Sequence, residues 1–400
     1  MNRRIIYHIH SDLKFAQKPT SLYPRDKFEN RYVFLEQPGE VCSAQIEGAI
    51  FPCKDDSVAE IANHLSDADV VVFYSLNDLL ARIANRLPER VVLIWRFFGY
   101  ELYDRMPEFI YTEATRGVLA NAARNAGMKR WLKGQWSIKG GIKRILAPWG
   151  RMFSRRAHEN RQMREPESEC QRALRRMDFF CGLADAEYDF LARRFPLPPF
   201  LQLPHTIPLS PDYEREKDST IILGHSRIMY GNHLDILNIL GKLPSAVLER
   251  YRFKAFFSYG PENAYTREVR RRASRFPSLQ LIEGFMPIKE FTRCYDKAAA
   301  LVIYAFRQVA MGNIYTALRA GAKVYLPGGN VLFKWLQKEG FVLYDVAQLE
   351  SDLRSGAIRL TVEEMEQNRR AWVKLTEKFN VAAYSAKVLE ACERKAQSSK

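Results

Sequence analysis

The segment TIILGHSRIMYGNHLDILNILG, residues 220–241, shows the unit from which the second half of the chain is built. It begins with a short apolar run at 220–223, passes through a turn that contains glycine, and ends in a helix-like stretch at 232–241. Five similar apolar runs follow, separated by helix-like segments, at 253–258, 279–285, 301–306, 322–326 and 341–346. Continuous apolar strands that alternate with helices are typical of a parallel sheet covered on both faces. The pattern predicts a Rossmann-like unit.

The first half repeats the pattern with longer interruptions. Its apolar runs lie at 4–9, 31–35, 69–74, 90–95, 178–183 and 200–203. Six prolines between Pro196 and Pro211 exclude a helix or a central strand there and predict a stiff connection between two domains. The predicted fold class is therefore α/β, with two Rossmann-like parallel-sheet domains at 1–207 and 208–361 and a helical tail at 362–400.

The overall composition excludes several classes of protein. Of the 400 residues, 47% are hydrophobic and 27% are charged, which is a globular balance and not that of a mainly disordered chain. No apolar stretch is long enough for a transmembrane helix, and the residues after Met1 are too polar for a signal peptide. The six cysteines lack metal-site spacing and are expected to be reduced thiols. We expect a soluble cytoplasmic protein.

The positive charge is concentrated in one segment, 116–176. It holds sixteen Lys and Arg against four Glu, which gives +12 of the chain's total of +15. Trp131, Trp136 and Trp149 are interleaved with these basic residues. Such a composition is typical of a peripheral contact with an anionic membrane, where each cation contributes about 1 kcal/mol. Two alternatives stay open: binding of RNA by arginine and stacked tryptophan, and plain packing of the tryptophans onto the parent domain.

Ligands of open parallel sheets bind outside the carboxyl ends of the strands, and this rule selects candidate residues in the second half. The first turn, Gly224 to Arg227, offers Gly224 for close approach of a phosphate, and Ser226 and Arg227 as donors. Tyr259 follows the next strand, and Gly284 with Phe285 follow the third, where Phe285 could flank a base. Ordinary turn chemistry explains these residues about equally well.

The strongest candidate follows the fourth strand of the second half. Arg307 and Gln308 come directly after the apolar run, and Gly312 with Asn313 open the next predicted helix, 312–320. A helix N-terminus offers free N–H donors and about half a positive charge. Together with an arginine it suits a diphosphate, particularly a departing one that gains charge. The sequence thus predicts a donor diphosphate site here, with Arg307 assisting the reaction; the alternative is an arginine in an ordinary surface loop.

In the first half, two carboxylates follow strands at the same sheet edge. Asp12 comes after the first strand, beside His10 and Ser11, and Glu101 follows the fourth, close to Gly99 and Tyr103. Asp12 and Glu101 could bind a sugar or act as a general base, although carboxylates that cap helices are at least as common. We expect acceptor contacts from the remaining residues, His10, Ser11, Gly99 and Tyr103.

The pair Asp67 and Asp69 has the spacing of the metal-binding motif of some nucleotide-sugar enzymes. It lies where a buried strand starts, at the edge away from ligands. We therefore predict a cap and turn there, and no metal or other cofactor.

These residues together resemble the TDP-N-acetylfucosamine:lipid II N-acetylfucosaminyltransferase family, also called 4-alpha-L-fucosyltransferase. The matching pieces are Ser11-Asp12, Trp95 to Tyr103, Asp178 to Pro204, Gly224-x-Ser226 with Asn232-His233, and Ala305 to Gln308 with Gly312. The resemblance runs in order through about 4–110 and 178–345, and it depends on order and spacing more than on any one motif.

The resemblance implies a GT-B glycosyltransferase with the acceptor site mainly in the first domain and the nucleotide-sugar site mainly in the second. The implied donor is a dTDP- or UDP-linked acetamido-dideoxyhexose such as 4-acetamido-4,6-dideoxygalactose. The implied acceptor is an oligosaccharide on undecaprenyl diphosphate at the inner face of the bacterial inner membrane, in surface-polysaccharide assembly such as that of enterobacterial common antigen.

Two departures from the family keep alternatives open. The segment 116–176 is longer than its counterpart, and the loop Arg227 to Tyr230 differs. A capsule or O-antigen transferase with another donor fits equally well, and a GT-B nucleotide-sugar epimerase is a further possibility. An RNA-binding protein that uses 116–176 is the non-enzyme alternative, but it would leave two well-patterned halves idle, so we expect no nucleic-acid partner.

Overall fold

A computed structural model describes residues 3–11, 22–36, 47–132, 168–204 and 216–398. Two sheets, in which every pair of neighbouring strands is parallel, organise this part of the chain: seven strands in the order β3-β2-β1-β4-β5-β6-β7, and six in the order β10-β9-β8-β11-β12-β13. The predicted pair of Rossmann-like units is confirmed. None of the helices in the described ranges has the length and apolar character needed to cross a membrane.

The strands of the first sheet are β1 Arg4–His10, β2 Phe28–Glu36, β3 Ala49–Pro52, β4 Val70–Tyr74, β5 Val92–Arg96, β6 Phe179–Gly182 and β7 Phe200–Gln202. Those of the second are β8 Thr220–Leu223, β9 Arg252–Phe256, β10 Leu279–Ile282, β11 Ala300–Val302, β12 Lys323–Leu326 and β13 Tyr344–Asp345. Three differences from the predicted strands matter below. Strand β3 was not predicted, β10 ends before Gly284, and β11 ends at Val302, so residues 303–307 form a loop.

The helices within the first half are α1 Val58–His64, α2 Asp78–Arg86, α3 Tyr100–Tyr103, α4 Pro107–Ile110, α5 Glu113–Leu132, α6 Glu169–Arg176 and α7 Asp185–Ala192. The second half contributes α8 His233–Leu240, α9 Ser245–Leu248, α10 Ala264–Ala273, α11 Ile288–Lys297, α12 Met311–Arg319, α13 Val331–Lys338, α14 Leu349–Ser355, α15 Val362–Lys378 and α16 Val381–Ser398. Short 3-10 turns lie at Asp55–Ser57, Met229–Gly231 and Val346–Gln348.

Strand β4 shows why the central strands read as continuous apolar runs. Val71 and Phe73 point into the core formed with helices α1 and α2, whereas Val70 and Val72 point into a second core on the opposite face. Successive side chains of a strand alternate between faces, so a sheet buried on both sides needs apolar residues at every position. The opposite face is covered by the last helix, α16, through residues such as Val388.

In the described part of the chain, two helices cross between the halves. Helix α5 leaves the first half and packs its Val118 and Leu119 against the core of the second. Helix α16 returns from the second half to the first sheet, where the hydroxyls of Tyr384 and Tyr23 are hydrogen-bonded at 2.6 Å. The boundary predicted at 207 falls outside the described residues and stays a prediction.

A further joint is made by Asn232, which is fully buried and has a left-handed backbone (φ 44). Its Oδ1 accepts from the Thr115 hydroxyl of the first half at 2.9 Å. Its Nδ2 donates to the carbonyl of Ile110 at 3.0 Å and to that of Tyr304 in the second half at 3.1 Å. One side chain therefore fixes the two halves relative to each other beside the cleft described next.

The pair Asp67 and Asp69 lies where β4 starts, and both carboxylates bind groups of neighbouring strands. Asp67 accepts from Arg31 at 2.6 Å and from the Tyr7 hydroxyl at 3.0 Å. Asp69 accepts from the Ile5 backbone N–H at 2.9 Å. Both carboxylates tie strands together at the edge opposite the cleft.

Candidate functional site

The carboxyl edges of the two sheets face one cavity of about 400 Å³. From the first half it is lined by Tyr74, Ser75, Phe98, Tyr100, Asp104 and Tyr111. From the second half it is lined by Ile228, Met229, Tyr230, Tyr259 and Arg307. A cavity at the carboxyl ends of two parallel sheets is the place where this kind of fold binds ligands.

Arg307 brings a positive charge into this cavity from the loop after β11. Arg307 is only 5% exposed. Its Cζ lies 4.1 Å from the ring centroid of Tyr230 and 5.6 Å from that of Tyr103. The buried Nε and Nη1 have no hydrogen-bond partner among the described residues. A buried cation without such partners is costly, so the arrangement favours an anionic ligand.

Gly99 is required by this approach of Arg307. Its backbone has φ +104, which a residue with a side chain rarely adopts. A Cβ placed there would lie 2.5 Å from Nη1 of Arg307. The glycine predicted as an acceptor contact therefore has a steric role between the halves.

Glu187 was not predicted, and it lies buried beside Arg307. Its carboxylate Oε1 accepts from the Tyr103 hydroxyl at 2.8 Å, while Oε2 has no partner within the described part of the chain. Burial raises the pKa of Glu187 to about 7, although the Tyr103 hydrogen bond and the Arg307 charge act to lower it. The carboxyl-edge rule could have found this residue, because helix α7 follows β6 directly.

Glu101, the predicted base, turns away from the cavity. Its Oε1 accepts from the Trp95 indole N–H and from the backbone N–H of Phe98, both at 3.3 Å. Burial raises the pKa of Glu101. The neighbouring Asp104 is exposed and lines the cavity instead. Glu101 thus stabilises the turn after β5, and Asp104 is the carboxylate that a ligand would meet in this turn.

The turn after β8 holds several buried polar atoms without partners. Gly224 has φ +66, and a Cβ there would lie 2.5 Å from Nε2 of His233. The Ser226 hydroxyl, Nδ1 of His225 and Nε2 of His233 lack hydrogen-bond partners in the described ranges. Burial lowers the pKa of His225 to about 3 and that of His233 to about 4, so both imidazoles are neutral at physiological pH.

Arg227 is occupied by protein contacts. Its Nε donates to the Gly260 carbonyl at 2.5 Å and its Nη1 to Glu262 at 2.7 Å. These bonds join the turns after β8 and β9 and leave less of the guanidinium for a ligand. Tyr259, which was predicted beside it, lines the cavity.

The remaining donor-site predictions lie farther along the same edge. Phe285 is 93% exposed beyond the end of β10, and a Cβ on Gly284 would meet nothing within 4 Å. The predicted helix starts at Met311, one residue before Gly312, after an Ala310 with φ +59. Asn313 lies inside that helix and donates to the Tyr295 hydroxyl at 2.7 Å, so its side chain is engaged there.

The first-half edge combines aromatic rings with small polar groups. His10 is buried and stacks on Tyr74 with ring centroids 3.9 Å apart, and burial lowers its pKa to about 3. The hydroxyls of Ser11 and Ser75 lie 3.2 Å apart, and Ser75 lines the cavity with φ +88. Asp12 lies outside the described residues, so its predicted role stays a prediction.

The basic segment 116–176 is described only at its two ends. Helix α5 packs on the second half, and helix α6 packs on α2 in the first. Arg176 donates to the carbonyls of Ala84 and Leu87 at 2.6 and 2.7 Å. Residues 133–167, which include Trp136 and Trp149, lie outside the described residues.

No protein-family model and no curated protein matches the sequence. Among solved structures, the chain is similar to sucrose-phosphate synthase from Thermosynechococcus elongatus, at 10% identity over 100% of both chains with a TM-score of 0.61. It is also similar to HepE from Anabaena in complex with UDP and glucose, at 10% identity over 98% of this chain and 100% of that one with a TM-score of 0.58.

A third similar structure is the lipopolysaccharide outer core galactosyltransferase WaaB, at 9% identity over 98% of this chain and 99% of that one, with a TM-score of 0.57. At such identities the likeness establishes the fold and no activity. The predicted fold class is confirmed: the chain has the GT-B architecture of two Rossmann-like parallel-sheet domains with a cleft between them.

Proposed function

We propose that this protein is a GT-B hexosyltransferase that transfers the sugar of a nucleoside-diphosphate sugar to a hydroxyl of an acceptor. The observation that carries the proposal is Arg307, a buried guanidinium with unpartnered N–H groups at the wall of the cavity between the two sheets. Its charge would stabilise the leaving diphosphate, where negative charge develops. The HepE structures, which hold UDP with glucose and UDP-glucose, support a nucleotide-sugar as the ligand.

The donor lies against the second half in this proposal. The diphosphate would contact Arg307, the turn Gly224 to Ser226 and the backbone at the start of helix α12, whose free N–H groups favour an anion. Tyr259 and Phe285 would border the nucleoside from the ends of β9 and β10. The Ser226 hydroxyl is buried without a partner among the described residues, as expected of a donor held for a ligand.

The acceptor lies against the first half. Tyr74, Ser75 and Phe98 offer rings and a hydroxyl that suit a sugar, and Asp104 offers an exposed carboxylate in the cavity. If the reaction inverts the configuration at the anomeric carbon, Asp104 is better placed than Glu101 to take the proton of the acceptor hydroxyl. Asp104 lines the cavity, whereas Oε1 of Glu101 accepts hydrogen bonds from Trp95 and Phe98.

The finer substrate assignment comes from the resemblance of the motifs. It gives an acetamido-dideoxyhexose from a dTDP- or UDP-sugar and an undecaprenyl-diphosphate-linked oligosaccharide, in synthesis of a bacterial surface polysaccharide. A capsule or O-antigen transferase with a different donor is the alternative within the same reaction class. The position of Arg307 is compatible with any nucleoside diphosphate, because it recognises charge and not the base or the sugar.

The test is binding followed by turnover. Thermal unfolding would be measured with UDP, dTDP, GDP, CDP, ATP and a short RNA, since a ligand at 100 times its Kd adds about 2.7 kcal/mol to stability. We expect a selective shift with dTDP or UDP, and transfer only when an acceptor is added. Turnover of the nucleotide-sugar to an epimer without acceptor would identify an epimerase, and a shift with RNA alone would overturn the proposal.

A peripheral position at the inner face of the inner membrane is part of the proposal, and the charge of segment 116–176 supports it. The matched variants each replace four cations by Gln: Lys139, Lys143, Arg144 and Arg151 in one, and the exposed Arg275, Arg293, Lys374 and Lys387 in the other. We expect the first set to lose binding to vesicles that contain anionic lipid, and the second to keep most of it. Equal loss in both would point to total charge and not to this segment.

A further inference from the structure

Glu187 places a carboxyl group from the first half beside the arginine that would hold the diphosphate. The residue is 1% exposed, and its Oε1 accepts from Tyr103, whose ring in turn lies under the Arg307 guanidinium at 5.6 Å. Its Oε2 is buried without a hydrogen-bond partner in the described part of the chain. A buried carboxylate with an unsatisfied oxygen is costly unless a nearby charge or a proton compensates it.

The groups that face Glu187 come from two elements besides its own helix. Tyr103 and Glu101 face it from helix α3. Arg307 faces it from the loop after β11, where the backbone of Gln308 also acts to lower the pKa of Glu187. On its own helix, Asp185 pairs with Lys338 of α13 at 3.0 Å, and Asp189 is exposed. Arg307 is the cation whose charge acts to lower the pKa of Glu187, and Arg194 acts in the same direction on the pKa of the neighbouring Tyr103.

Glu187 and Arg307 influence each other without a direct ion pair. The Nε and Nη1 groups of Arg307 carry no hydrogen bond within the described ranges, and Tyr103 and Tyr230 hold its guanidinium by ring contacts. The carboxylate therefore compensates the positive charge through space and leaves these two N–H groups to a ligand. A diphosphate bound to them would supply negative charge of its own, and repulsion between it and the carboxylate would favour the protonated acid.

We propose that Glu187 is a positioning residue that keeps Arg307 ready for a diphosphate, and that binding of the diphosphate is accompanied by uptake of one proton from solvent onto the Glu187 carboxylate. This inference rests on the proposed function and adds a proton-linked control of donor binding at the same site. No other bond forms or breaks. The pKa of Glu187, raised by burial to about 7, places the change of charge in the physiological range.

The experiment is isothermal titration of the full chain with UDP-glucose and dTDP-glucose, whose diphosphates carry no group that titrates near neutral pH. Titrations between about pH 6 and pH 8.5, in buffers of different ionisation enthalpy, give the number of protons taken up. We expect net uptake near pH 7.5 and an affinity that falls above pH 7, approaching about tenfold per pH unit. Glu187→Gln should bind without uptake and with an affinity that is independent of pH.

Two further variants separate this role from a structural one. Tyr103→Phe removes a hydrogen bond that lowers the pKa of Glu187 but keeps the ring under Arg307, so the fall in affinity should move to higher pH. Asp189→Asn removes an exposed charge from the same helix and should keep the linkage of the wild type. Should Glu187→Gln fail to fold, the shift in Tyr103→Phe still decides.

Different failures point to different errors. Binding of either sugar nucleotide with no proton uptake in the wild type, or uptake that persists in Glu187→Gln, would overturn the role of Glu187 and leave the proposed function in place. Absence of binding by both sugar nucleotides at every pH, with the wider nucleotide panel also negative, would overturn both.

Discussion

The carboxyl edges of the two sheets face the same cavity, but they present different chemistry to it. The first-half edge lines the cavity with the Tyr74 and Phe98 rings, the Ser75 hydroxyl and the exposed Asp104 carboxylate. Among the described residues, the second-half edge has unpartnered N–H groups on Arg307 and an unpartnered Ser226 hydroxyl, which can donate, besides ring nitrogens of His225 and His233. Donors and a cation suit phosphate, whereas carboxylates and aromatic rings suit a sugar. The contrast supports donor binding on the second half and acceptor binding on the first.

Replacement of Arg307 should test the contrast most severely. We expect Arg307→Ala to lower donor affinity by at least about 100-fold and transfer by about 1,000-fold, because stabilisation of the developing charge is lost. The free energy of unfolding should change by only about 1 kcal/mol, because loss of a buried cation with unpartnered N–H groups is opposed by loss of its charge beside Glu187, which can take up a proton. Titration, turnover and denaturant unfolding would be compared with Arg275→Ala, which removes an exposed arginine after helix α10. Wild-type turnover in Arg307→Ala would remove the residue from the mechanism.

Gly99 offers a way to move Arg307 without replacing it. Gly99→Ala should cost about 1–3 kcal/mol of stability from the backbone at φ +104, and it should push Nη1 of Arg307 from its place. We expect donor affinity to fall by about 10- to 100-fold, because small displacements of a positioned charge matter. The control is Gly117→Ala, in helix α5, where a Cβ meets nothing within 4 Å. A lower free energy of unfolding with unchanged donor affinity would show that Arg307 shifts and still binds the diphosphate.

The two edges also differ in how far they could be predicted. Strand β8 matches its predicted bounds, because its apolar run ends at a glycine turn. Strand β11 ends at Val302 although apolar residues continue to 306. The Ile303 N–H still donates to the Tyr325 carbonyl of β12, and Ala305 beyond it is buried in a loop. Strand β3 was missed because it is a short edge strand that ends in proline. Local pattern predicts buried strands well, and it cannot separate a strand from a buried loop that continues it.

The same distinction applies to the site. Arg307 was predicted because a charged residue directly after a buried run is visible in the sequence. The carboxyl-edge rule could have placed Glu187 near the site, but its contact with Tyr103, 84 residues away, follows from no spacing rule. Glu101 was placed at the correct edge, but the direction of its carboxyl group depends on the turn that brings Trp95 and Phe98 to it. Edge position is readable from sequence, whereas side-chain direction requires the packed structure.

The pH dependence of stability sharpens the first-half side of the comparison. The pKa of Glu187 is about 7 when folded and near 4.5 when unfolded, so its carboxyl contributes stability below pH 4.5 that is lost as pH rises to 7. The buried histidines act in the opposite direction, because burial lowers the pKa of His10, His225 and His233. The informative quantity is therefore the difference in free energy of unfolding between wild type and Glu187→Gln. We expect the wild type to lose about 1–3 kcal/mol of stability relative to Glu187→Gln between pH 4.5 and 7. A difference that does not change with pH would show that Glu187 is ionised throughout this range.

The smallest expected effect concerns Gly312, on the second-half side. It is exposed inside helix α12, has no positive φ, and a Cβ there would meet nothing within 4 Å. The protein itself therefore does not require a glycine, and Gly312→Ala should raise stability by about 0.5–1 kcal/mol through helix propensity. If the donor diphosphate lies against this first turn, the added methyl group should still lower donor affinity by roughly threefold to tenfold, since it crowds the backbone N–H groups. Gly117→Ala provides the same gain of helix propensity in helix α5, so thermal unfolding and donor titration of the two variants separate the effects. Equal stabilisation with unchanged donor affinity in both would move the diphosphate away from helix α12 and leave Arg307 with the turn after β8 as its site.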